Sequence, residues 1–317
     1  MEGKSMKNNM NNRPVIGILA QPTLTGKISI YGKYYIDAAY VKFVESSGAR
    51  VVPLRFDLPR DEMRSYFDQL NGILFAGGGV DLVEKNGDLT PYMKSQQMLV
   101  NWAIEAYEKN GDYMPMWGTC LGFQGLAIAL ANDSSVMQSG FDSENMAIPL
   151  DFTMPESKII ESTRLFNPKE VDSVQMRDIV YLLGNKNVTF NAHHDGIPID
   201  RWISNSNLNK QVRLISTNLD RNGRKYASLL EHSKYPIYGS QFHPEKSMFE
   251  WNPNEVINHS LESVKVNSYF GKFFINECRK NSHTFKSEQF LEKSLIYQFT
   301  PVYTYPLVND FEQCYFV

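Results

Sequence analysis

Two rhythms of apolar residues alternate along the first 131 positions of the chain. Short apolar runs predict buried strands at VIGILA (15–20), RVVPL (50–54), GILFAGGG (72–79) and YMPMW (113–117). Between them, apolar residues recur at helical spacing. YYIDAAYVKFVESSG (34–48) predicts a helix stopped by Gly48, and LPRDEMRSYFDQL (58–70) one opened by proline and acids. SQQMLVNWAIEAYEKNG (95–111) predicts a third, between a serine and a glycine, and LGFQGLAIALA (121–131) a fourth. Such alternation with short connections builds a parallel sheet covered by helices on both faces. Residues 140–210 are polar and irregular, with one helix-like run at 169–185. QVRLIST (211–217), YASLLEH (226–232) and YPIYGSQF (235–242) then predict three close strands, spaced for antiparallel pairing, before a final helix over 261–281. The fold class that follows is α/β: a mostly parallel sheet, helices on both faces, antiparallel strands at one side.

Composition narrows the partners. The 317 residues are 42% hydrophobic and 21% charged, enough for a sizeable core without staples. A net charge of −3 argues against nucleic acid or an anionic membrane surface as partner. No run of about 18 apolar residues occurs, so no membrane-spanning helix is expected. The cysteines Cys120, Cys278 and Cys314 are odd in number and far apart, which leaves at least one free thiol rather than a disulfide framework. The first residues, MEGKSMKNNMNNR, carry no apolar signal-peptide core; 1–12 is expected to be a disordered lead or an expression remnant. Acceptor sequons stand at Asn132, Asn187 and Asn258.

The chemistry concentrates where strands end. Gly118-Thr119-Cys120-Leu121-Gly122 places a cysteine between two glycines at a predicted strand–helix junction. With serine in that place the arrangement is the nucleophile elbow, whose sharp turn brings backbones close together. The helix N-terminus beneath favours the thiolate. A free thiol is more often simple packing, but the flanking glycines and the junction favour the nucleophile. His243-Pro244-Glu245 follows the predicted strand 235–242, so the imidazole sits at a strand end as candidate base, with Glu245 spaced to orient it. Gly77-Gly78-Gly79 closes another strand; the N–H groups of Gly78 and Leu121 are candidate oxyanion donors. No P-loop or dinucleotide spacing accompanies the glycines. His193-His194-Asp195 has no third ligand at metal-site spacing, so no metal and no cofactor are expected. His193 can project into a substrate cleft or be a satisfied structural histidine.

Together the elbow, the strand-end HPE and the glycine loop resemble the class I glutamine amidotransferase-like fold. Within it the chain is similar to the γ-glutamyl hydrolase family, through YGKYYIDAAYVKFVESSGARVVPL (31–54), NGILFAGGGVDL (71–82), GDYMPMWGTCLGF (111–123), YPIYGSQFHPEKSMFEW (235–251), FFINECRKN (273–281) and EKSLIYQFTPVYT (292–304). The resemblance spans nearly the whole chain, and EKSMFEW and the C-terminal tail carry the narrower assignment. It implies a single catalytic domain over 13–317, with Cys120 as nucleophile, His243 as acid and base, and Glu245 behind it. Tyr40 and His193 match positions that lie near substrate. The implied activity is cleavage of γ-glutamyl bonds in folylpoly-γ-glutamates, in a homodimer with a lysosomal, vacuolar or extracellular home. Gln124 departs from the pattern, standing where animal hydrolases tend to have glutamate; amidotransferases often carry glutamine there. A glutaminase subunit feeding ammonia to a synthase is the competing activity.

Overall fold

The computed structural model describes residues 10–23, 27–167 and 171–317. The lead expected over 1–12 lies outside the described residues up to residue 9, as do the first two residues of the predicted helix 169–185.

The strands are β1 (Val15–Pro22), β2 (Tyr34–Asp37), β3 (Arg50–Arg55), β4 (Gly72–Phe75), β5 (Met116–Thr119), β6 (Gln138–Ile148), β7 (Asp151–Phe152), β8 (Thr189–Gly196), β9 (Val212–Leu219), β10 (Lys225–His232), β11 (Ile237–Ser240), β12 (Val302–Tyr303) and β13 (Gln313–Phe316). The main sheet runs β3-β1-β4-β5-β11-β10-β9-β7. Its first five strands are parallel. β10, β9 and β7 then pair antiparallel at one side, as the close spacing of the last predicted strands requires. A small annex, β12-β13-β2, joins the carboxyl end of β1.

Both faces of the sheet are covered, so its strands are apolar on both sides. Val15, Leu19, Ile73, Phe75 and Met116 face one core, packed under the helices α2 (Arg60–Phe67), α3 (Pro91–Asn110) and α4 (Leu121–Ala131). Ile16, Ile18, Leu74 and Trp117 face the other, under α1 (Ala38–Ser46) and the helices Ser173–Asn185 and Leu261–Cys278. Trp117 is fully buried, and truncating it to alanine would cost about 3–5 kcal/mol.

Three local expectations change. The helix predicted over 34–48 starts only at Ala38, because Tyr34–Asp37 pairs with β1 and β13 and the Asp37 side chain then accepts the Ala39 N–H at 2.8 Å. α3 begins before Ser95: Thr90 caps it and Pro91 opens it, a position where a missing N–H costs nothing. The middle segment is less irregular than its composition suggests. β6 and β8 form a separate two-stranded ribbon, with register shifts between Ser139 and Ser143 and between Ser143 and Met146. Alternation fails at such bulges, which hides the strand from a periodicity reading.

Candidate active site

β4, β5 and β11 lie side by side, and the loops leaving their carboxyl ends meet. The β5 loop carries Cys120. Its N–H donates to the Ser240 carbonyl at 2.8 Å, which extends the β5–β11 pairing by one residue. Its backbone then turns abruptly, with φ +51° and ψ −106°. That conformation costs a non-glycine residue on the order of 1–3 kcal/mol. The surroundings enforce it. A Cβ on Gly122 would overlap the Phe75 carbonyl, and one on Gly118 would sit 2.5 Å from the Gly122 carbonyl oxygen. The two glycines let α4 start close against β4 and β5, and this aims the thiol out of the turn.

The β11 loop carries His243, anchored by its N–H to the Phe190 carbonyl at 2.8 Å. Its Nδ1 lies 2.7 Å from Glu245 Oε1, and both side chains are buried. Burial opposes a charged ring, but Glu245 and the sulfur of Cys120 outweigh it and raise the His243 pKa to about 10. With Nδ1 on Glu245, Nε2 is the nitrogen left for Cys120. The carboxylate on one side and the sulfur on the other thus both favour the charged form of the ring.

The β4 loop supplies the glycines. Gly77 presses against three partners: a Cβ there would lie 2.5 Å from the Tyr40 hydroxyl, 2.8 Å from His243 Cε1 and 3.3 Å from Cys120 Cβ. Its N–H donates to the Tyr40 hydroxyl at 2.8 Å, and that hydroxyl lies 3.3 Å from His243 Nδ1. Gln21, at the end of β1, donates its amide to the Gly77 carbonyl at 2.8 Å. A Cβ on Gly78 would overlap that same Gln21 side chain. All three glycines line the cavity; the Gly77 N–H and carbonyl are already engaged, which leaves the Gly78 and Gly79 backbone as the candidate donors.

That cavity holds about 210 Å³, and Cys120, His243, Tyr40, Gly78 and Ala192 line it. Charged side chains ring it. Lys246 is buried, yet its pKa is raised: burial pulls it down, and Glu255, Glu250, Asp37 and Glu245 more than compensate. Its Nζ lies 3.3 Å from both Glu255 Oε1 and the Asp310 carbonyl. Asp37 and Glu250 are buried beside it and in contact; burial holds both carboxyls well above the ordinary range, and each is further raised by the other group's charge or by a neighbouring carboxylate. Gln21, Lys246, Glu255 and Asp310 carry no spacing signal. Only Lys246, directly after HPE, adjoins a motif.

A family model described as Peptidase C26 matches residues 14–245. The chain is 38% identical to gamma-glutamyl hydrolase of Homo sapiens over 304 residues, covering 96% of this chain and 89% of that one. It is 38% identical to gamma-glutamyl hydrolase B of Dictyostelium discoideum, covering 94% and 81%, and 30% identical to gamma-glutamyl hydrolase 1 of Arabidopsis thaliana, covering 93% and 80%. The chain belongs to the γ-glutamyl hydrolase family, peptidase C26.

Two positions of this γ-glutamyl hydrolase family member are placed in ways that the sequence left open. His193 does not line the cavity; its neighbour Ala192 does. The His193 ring packs at 4.8 Å against Tyr226, and its Nδ1 lies 2.8 Å from the Asp195 carbonyl. Burial drops its pKa to about 3, so the ring is neutral. His194, on the other face of β8, is exposed and lies 3.2 Å from Glu144, so the two histidines do not converge on one ion. Gln124 is buried and donates its amide to the Asp195 carbonyl at 2.7 Å. A glutamate in this place has no such N–H to give, so the glutamine ties α4 to the end of β8 by a bond that the carboxylate cannot make.

Proposed function

We propose that this γ-glutamyl hydrolase acts on folylpoly-γ-glutamates and their antifolate counterparts, releasing glutamate or short γ-glutamyl chains. The observation that carries the mechanism is the line Glu245–His243–Cys120 across the ends of adjacent strands. The Cys120 thiolate attacks the γ-carbonyl carbon. The N–H groups of Gly78 and Leu121 hold the oxyanion of the tetrahedral intermediate. The His243 imidazolium gives its proton to the departing amine, the C–N bond breaks, and a thioester to Cys120 remains. The imidazole, now neutral, takes a proton from water, and the hydroxide attacks the thioester. The acid product leaves and the thiolate–imidazolium pair is restored. Glu245 orients the ring and stabilises its charge in both halves. Tyr40 stands beside the substrate, and His193 supports the wall at Ala192 from behind.

The same proposal holds residues 13–317 to be one catalytic domain, working as a homodimer in a lysosomal, vacuolar or extracellular compartment. The pairing of β13 with β2 supports the single domain, because it ties the last residues to the wall that bears Tyr40. No helix among the described residues is long and apolar enough to cross a membrane. The decisive measurement compares kcat/KM for a pteroyl-γ-diglutamate with that for free glutamine. Cleavage of the first with little ammonia from the second is expected. The reverse result would favour a glutaminase subunit.

A further inference from the structure

Asn145 lies in the irregular stretch of β6, between the pairings Ser143–His193 and Met146–Asn191. It has φ +50°, a left-handed conformation that asparagine tolerates better than most residues. Its side chain spans to a different part of the chain. The Nδ2 donates to the Asn254 carbonyl at 2.9 Å, and the Oδ1 accepts the Val256 N–H at 2.6 Å. From the outer side, Arg221 donates to the Asn145 carbonyl at 3.0 Å and to Asp142 Oδ1 at 2.8 Å. The immediate neighbours of these contacts face the cleft. Glu144 lines it from the ribbon, and Glu255 lines it from the loop, paired with buried Lys246.

We propose that Asn145 is a positioning residue that sets the spacing between two walls of the substrate cleft. The left-handed turn points its amide at the loop 252–256 and, in the same step, sets Glu144 at the rim of the cavity, where its carboxylate also meets the exposed His194 at 3.2 Å. The amide then fixes the backbone on both sides of Glu255, and Glu255 in turn fixes Lys246. Asn145 touches no reacting atom in this arrangement. Its effect falls on how well the substrate's charged groups are met, not on the thiol chemistry at Cys120. Bulges next to active sites serve this purpose of re-aiming side chains.

The inference rests on the hydrolase reading above, so the wild type is assayed first with γ-glutamyl-glutamate conjugates. Absence of cleavage there is a failure of that reading. Given wild-type turnover, Asn145→Gly is the informative variant, because glycine accepts φ +50° without strain and removes only the two side-chain bonds. The loss of both bonds should raise KM about fivefold to tenfold, with kcat within about twofold. Asn145→Asp keeps the acceptor for the Val256 N–H but turns a second oxygen, with no proton to give, toward the Asn254 carbonyl, so it should raise KM at least as much as glycine does. An unchanged KM in Asn145→Gly overturns the proposal, and so does a kcat that falls as much as KM rises. Should the glycine variant fold poorly, Asn145→Asp decides alone. A raised KM at preserved kcat upholds the proposal, and an unchanged KM overturns it.

Discussion

The turn that aims Cys120 is made by consecutive residues, Gly118 to Gly122. The ribbon that brings Glu144 to the same cavity is held by partners from far along the chain: Arg221 reaches Asp142 across 79 positions, and Val256 reaches Asn145 across 111. The elbow stores strain, with a non-glycine φ of +51°, and surrounds it with glycines that no side chain can replace. The ribbon relies on long-range polar and aromatic contacts, such as half-exposed Arg224 lying 3.9 Å over the buried Phe141 ring. Chemistry common to a family can be written in a short motif because the backbone turn that makes it is local. The wall that carries Glu144 depends on pairings that no short motif contains.

The contrast breaks if the elbow proves replaceable. Cys120→Gly should lower kcat/KM by about 10⁴-fold or more, as loss of a nucleophile does. The same change should leave the melting temperature equal or higher, since glycine relieves the strained φ. A variant that lost activity and also melted well below wild type would mean that the thiol, not the turn, holds this corner together. Next in size is Gly122→Ala. Its methyl group meets the Phe75 carbonyl, a backbone atom that cannot step aside. A loss of about 3 kcal/mol or more by chemical denaturation is expected, together with lost turnover. Full stability would show that α4 is free to shift away from β4.

A middle-sized effect concerns pH, at the buried acids beside the cleft. Asp37 and Glu250 both have raised pKa values, mainly through burial. The folded state therefore binds protons that the unfolded chain has already released. Their contribution to stability is complete below the ordinary carboxylate range and is lost as pH rises through the folded values. Wild-type melting temperature should fall by several degrees between about pH 5 and about pH 9, and Glu250→Gln should flatten that slope. Equal slopes would place the proton elsewhere. The smallest effect belongs to the ribbon. Arg224→Ala removes the cation over Phe141 and the bonds to Ser139 and Gln138. It should cost about 1 kcal/mol and shift KM more than kcat. A drop in kcat as large as that of Cys120→Gly would erase the distinction between the two regions.

The sequence shows the sheet and the elbow because both are local. Parallel strands buried on two faces appear as plain apolar runs, and LGFQGLAIALA forms a helix over the residues its pattern marks, Leu121–Ala131. HPE is equally legible, since His243 and Glu245 are close enough to meet without help from the rest of the chain. The ribbon is not. β6 reads QSGFDSENMAI, with serine, asparagine and acids where alternation is needed, and only its pairing with β8 makes it a strand. Tyr34–Asp37 reads as the start of a helix because its strand partners lie in β1 and at the far C-terminus. Lys246 is readable as a neighbour of HPE, but its burial depends on Glu255 and Asp310, which no spacing rule connects to it.

The placement of β11 has a consequence for the newly made chain. Its partner β5 precedes it by more than a hundred residues, and the ribbon, the helix Ser173–Asn185 and the hairpin β9–β10 come in between. Contacts so distant in sequence close late in folding. Until they do, Cys120 has neither the imidazolium beside it nor the Ser240 carbonyl that locks its turn. An unfinished chain thus carries Cys120 without the partners that surround it in the finished fold. The corner of the fold that holds Cys120 and His243 together is completed by the docking of one strand, so it exists only in the assembled molecule.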